Sequence, residues 1–80
     1  MTVFLVLVLG SGLAEPLASL HATPAGAQHR LAGHARALLA DRLGYVPTQL
    51  QTQLPDLVDL VDELAGIGLT AVIEHLTVTA

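Results

Sequence analysis

Eighty residues with three arginines, no lysine and a net charge of −4 lack the cations that neutralise phosphates, which excludes nucleic-acid binding. Apolar residues at 52% against 12% charged exclude a disordered chain, and the lack of cysteine excludes disulfides and thiolate metal sites. So much apolar surface on a single domain, residues 1–80, predicts a homo-oligomer or a bound partner rather than a free monomer.

Residues 2–12, Thr-Val-Phe-Leu-Val-Leu-Val-Leu-Gly-Ser-Gly, form an unbroken apolar run that stops at a glycine turn. Its β-branched content predicts a strand over 2–9, buried on both faces as in a parallel sheet covered by helices. The run is too short to cross a bilayer and has no Lys or Arg ahead of it, as a secretory signal requires. The expectation is a cytoplasmic chain with no membrane contact. Residues 11–23 read as a long loop holding Pro16, with room for one helical turn around Leu17–Leu20. Thr23-Pro24 is a capping hydroxyl followed by proline at the first helical position. The helix it starts runs to Leu43, with Leu31, Ala35, Leu38, Leu39 and Leu43 as its apolar stripe and Gly44 as its stop. Residues 45–53 alternate, with Val46, Thr48, Leu50 and Thr52 opposed to Gln49, Gln51 and Gln53. That period predicts an edge strand, and Pro47 suits one. Pro55-Asp56 opens a second helix with Leu57, Leu60, Val61 and Leu64 inward, ended by Gly66 or Gly68. Leu69–Thr79 is the last strand. The order β-α-β-α-β with right-handed crossovers predicts an α/β fold. It is a three-stranded parallel sheet of order 2-1-3 with helices on both faces, like half of a flavodoxin-type domain.

In such a sheet ligands gather at the carboxyl ends of the strands. Gly10, Ser11, Gly12 and Glu15 are the expected binding residues for a small anionic ligand. They are not a dinucleotide fingerprint, because Glu15 stands where the third glycine belongs. His21 and His29 fall at the same predicted end and are the candidate ligands of a divalent metal. His29 and His34 are five apart, which is not the i, i+4 spacing of a helical metal pair. Glu74-His75 puts ionisable groups on opposite faces of the last strand, which marks that strand as an exposed edge open to pairing. No nucleophile–base or paired-carboxylate motif is present.

The succession Val-Leu-Val-Leu-Gly-Ser-Gly (6–12), His-Arg-Leu-Ala-Gly-His-Ala-Arg-Ala-Leu-Leu-Ala-Asp-Arg-Leu (29–43) and Leu-Pro-Asp-Leu-Val-Asp-Leu-Val-Asp-Glu-Leu-Ala-Gly-Ile-Gly-Leu-Thr-Ala-Val-Ile (54–73) resembles the small chelatase-like family, the sirohydrochlorin and cobalt chelatases. The resemblance implies a metal ion (Co, Ni, Zn or Fe) or a tetrapyrrole-like ligand held in a homodimer cleft, with metal insertion as the activity. The family's metal-binding histidine in the turn after its first strand is Ser11 here. The alternative expectation is a non-enzymatic accessory subunit that binds a partner through its sheet edges.

Overall fold

The computed structural model describes residues 1–79. Its elements are β1 (Thr2–Gly10), β2 (Leu17–His21), α1 (Pro24–Leu43), a 3-10 turn at Thr48–Leu50, α2 (Leu57–Ala65) and β3 (Leu69–Thr77). The sheet has the order β2-β1-β3, and both pairings of β1 are antiparallel.

The parallel β-α-β-α-β sheet predicted from the sequence is therefore not the fold. The predicted loop over 11–23 contains β2, which returns beside β1 with Val8 opposite Leu17 and Phe4 opposite His21. The predicted edge strand at 45–53 is instead the 3-10 turn, which buries Leu50. The strand order still reads 2-1-3, but the second strand is a different segment. The hairpin reverses the geometry that follows. β2 ends where β1 begins, so α1 starts at that end and runs back toward the Gly10 end.

The helices form where capping and periodicity place them. In α1, Thr23 accepts a hydrogen bond from the Gly26 N–H, Pro24 occupies the first turn, and Gly44 closes the helix at φ 81°. Its buried residues are Ala27, Leu31, Ala32, Ala35 and Leu39, those of α2 Leu60 and Leu64. Leu57, expected on the buried face of α2, is exposed.

Both helices lie on one face of the sheet. Val6, Val8, Leu69 and Ala71 join the buried helical residues and Leu50 in a single core. These four strand residues share a face, because Val8 pairs with Ala71 and Gly10 with Leu69 in register. Helices on both faces were expected; here the second face is bare, and β1 is covered on one side only. Val3, Leu5, Leu7 and Leu9 of β1 point outward, beside Ala18 and Leu20 of β2 and Val72 and Leu76 of β3. Leu20 is 62% exposed and Leu9 and Leu76 are each 38% exposed.

Arginines fasten the connections. Arg36 donates through Nε to the Leu50 carbonyl at 2.8 Å and through a terminal nitrogen to that of Thr52. Arg42 donates to the carbonyls of Ile67, at 3.0 Å, and Ser11. Gln28 reaches the Pro55 carbonyl at 2.6 Å. These side chains thus bind the irregular backbone to α1.

Candidate functional site

Two surfaces qualify: a histidine-lined cleft beside α1 and the bare sheet face. The cleft has a volume of about 550 Å³ and is lined by His21, Gly26, His29, Arg30, Gly33 and His34. His21 reaches it from the last position of β2, on the helix-covered face. The others lie on one stripe of α1, since 26, 29, 30, 33 and 34 are separated by three and four residues.

Glycine makes the room. A Cβ at Gly33 would meet nothing within 4 Å, so a side chain there would stand in the cleft. A Cβ at Gly26 would lie 3.0 Å from the Thr23 hydroxyl and 4.0 Å from His21 Nδ1. His21 Nε2 shares a 2.8 Å hydrogen bond with the Ser19 hydroxyl. When that hydroxyl donates, the imidazole proton sits on Nδ1, the nitrogen nearer Gly26.

The wall is basic. No carboxylate lines it. Arg36 and Arg42 spend their guanidinium groups on backbone carbonyls, whereas Arg30 makes no side-chain hydrogen bond or ion pair among the described residues. His34 titrates below the usual histidine range, first because burial disfavours its charged form, then because Arg30 and His21 repel it.

His21 and His29, the expected metal ligands, both line this cleft. Among the described residues, however, no group of three or more His, Asp or Glu is placed to hold a metal ion. Gly10, Ser11, Gly12 and Glu15, expected at the same end, lie elsewhere. Gly10 pairs with Leu69, and Ser11 contacts Arg42 at the far end of α1, a helix whose 20 residues span roughly 30 Å. The reversal of direction at β2 separates the two groups. The Gly10–Gly12 turn is also an occupied structure rather than an open cradle. The Ser11 N–H donates to the Gly68 carbonyl, the Leu13 N–H donates to that of Gly10, and Arg42 covers Gly12.

Arg30, His34 and Ser19 were missed in the sequence. The i+4 spacing of Arg30 and His34, with Gly26 and Gly33 on the same stripe, was the available signal.

The second surface is the bare face of the sheet. The central strand gives it only apolar side chains, and its polar residues, Thr70 and Glu74, stand on the edge strand β3. His75, on the opposite face, stacks on Phe4 with ring centroids 5.6 Å apart. No helix among the described residues is long and apolar enough to cross a membrane.

Comparison with protein-family models, curated proteins and solved structures found no match to this chain.

Proposed function

We propose that this protein is a non-enzymatic interaction module that self-associates through the bare face of its sheet. One observation carries the reading: a nine-residue central strand presents Val3, Leu5, Leu7 and Leu9 on a face that no helix covers. Contiguous apolar surface of this kind marks an interaction site on a folded chain.

The occupant is a second copy. An apolar sheet face can pack on its own copy, and a two-fold axis lets each copy bury the same patch of the other. Two sheets packed face to face interdigitate side chains across a layer about 10 Å thick. The chemistry is arranged as an interface is. The apolar residues fill the central strand and continue as Leu20 on β2 and Val72 and Leu76 on β3, while the two polar residues, Glu74 and Thr70, sit on the edge, where a carboxylate keeps its water.

This reading keeps the homo-oligomer expected from composition and moves the contact from the sheet edges to the sheet face. Light scattering across the micromolar range tests it. A dimer is expected for the native chain. Leu7→Lys should give a monomer with unchanged far-ultraviolet circular dichroism, because Leu7 lies outside the helix-covered core. A folded native chain that is monomeric at every concentration refutes the proposal.

A further inference from the structure

We propose that the cleft between the end of β2 and α1 binds the oxyanion of a phosphate ester, with Arg30 as its principal anchor and His21 and His34 as further hydrogen-bonding partners. The inference is independent of the sheet face, which lies on the other side of β1.

Four nitrogen-bearing side chains face this space with no carboxylate to neutralise them. Arg30 is the one arginine with no acceptor among the described residues, and a guanidinium fork fits two oxygens of a phosphate. His21 is braced by Ser19 at 2.8 Å, which fixes one ring nitrogen and leaves the other for a ligand. Gly26 and Gly33 clear the helix surface between these groups, so an oxyanion can approach the helix more closely than larger side chains would allow.

The charge balance selects the class of anion. With neutral imidazoles the cleft offers one positive charge, which suits weak binding of any anion. Each proton taken up adds another. Bound phosphate raises the proton affinity of His34 and so opposes the burial and the repulsion from Arg30 and His21 that lower it. The titratable groups facing the cleft are His21 from β2 and His29, Arg30 and His34 from α1; β1 presents Phe4, Val6 and Val8 on that face and no titratable side chain, and β3 adds His75, stacked on Phe4.

The pH profile follows. A phosphate ester gains its second charge near about pH 6, free phosphate at a somewhat higher pH, and imidazoles in general lose theirs in the same region. Phosphate binding should therefore peak between mildly acidic and neutral pH and weaken on either side. Sulfate stays doubly charged throughout, so its binding should keep strengthening as pH falls.

The test is a titration of the purified protein with inorganic phosphate, sulfate and zinc chloride, followed through the histidine ring resonances. Phosphate should move His21 and His34 and saturate in the millimolar range, with a peaked pH profile for phosphate and a monotonic one for sulfate. Arg30→Gln should weaken binding about tenfold or more. Gly33→Leu should abolish it while raising the melting temperature, since leucine favours a helix and has room at that position. A phosphoserine peptide that binds more tightly than free phosphate assigns the group to a protein ligand; the reverse order assigns it to a small molecule. Unmoved histidine resonances, full affinity in Arg30→Gln, or saturation by zinc without any response to phosphate would each overturn the proposal.

Discussion

His34 ties its own titration to the stability of the fold. Its proton affinity is reduced in the folded chain, by burial first and then by Arg30 and His21. The unfolded chain therefore binds the proton more readily. Stability is full above the unfolded value, about 6.5, and declines as pH falls through the interval down to the lower folded value. Urea midpoints at pH 7.5 and at pH 5 measure the decline, and His34→Gln should reduce it. An unchanged slope in His34→Gln would assign the decline to other groups. Gly10 shows a different constraint at the same scale. Its φ is 135°, and a Cβ there would lie 2.5 Å from the Gly68 carbonyl oxygen. The glycine that reads in the sequence as the opening of a ligand turn is there to let two backbones approach.

Among the elements, the helices were legible and two of the extended segments were not. Thr23-Pro24 and Gly44 bracket α1 through a side-chain cap and a left-handed stop, local chemistry that tertiary contacts seldom override, whereas α2 starts after Pro55-Asp56 and ends at Gly66 without a side-chain cap and was legible from its apolar period. β2 hid because its alternation is inverted. Ser19 and His21 face the helices while Ala18 and Leu20 face outward, so its pattern does not separate apolar from polar as a half-buried strand should. The alternation at 45–53 arose without a strand, since Arg36 and Gln51 satisfy the carbonyls of Leu50, Thr52 and Val46 that a sheet would have paired. The apolar run of β1 misled in a further way. A strand buried on both faces and a strand with one bare apolar face have the same sequence pattern. Leu60 and Leu7 separate these cases. Both were expected in the core, but only Leu60 is fully buried there, while Leu7 faces outward and is half-buried. Leu60→Ala should cost about 2–5 kcal/mol in urea melts at any protein concentration. Leu7→Ala should cost less in dilute protein and approach Leu60→Ala only where the chains associate. Equal costs at high dilution would place Leu7 in the core.

At the scale of the whole molecule, association and folding are linked. A chain that buries its bare sheet against a copy of itself gains stability with concentration. The melting temperature should rise as protein is taken from the low to the high micromolar range, and Leu7→Lys should remove that dependence. A melting temperature that does not change with concentration would separate the fold from its association. The composition made the excess of apolar surface legible, but it could not say which surface was bare, because that depends on a hairpin of five residue pairs.

The pairing of β1 with β3 also sets an order of events during synthesis. The central strand leaves the ribosome well before one of its two partners, Leu69–Thr77, with both helices between them in the chain. Until then β1 has β2 on one side and an open row of backbone donors and acceptors on the other, in a segment as apolar as Val-Phe-Leu-Val-Leu-Val-Leu. Such an edge is a template for pairing with any neighbouring nascent chain. The contacts that close it join residues far apart in the sequence, so the folding step is dominated by a long loop closure and is slow for so small a domain. During that interval the exposed edge is open to pairing with other extended chains.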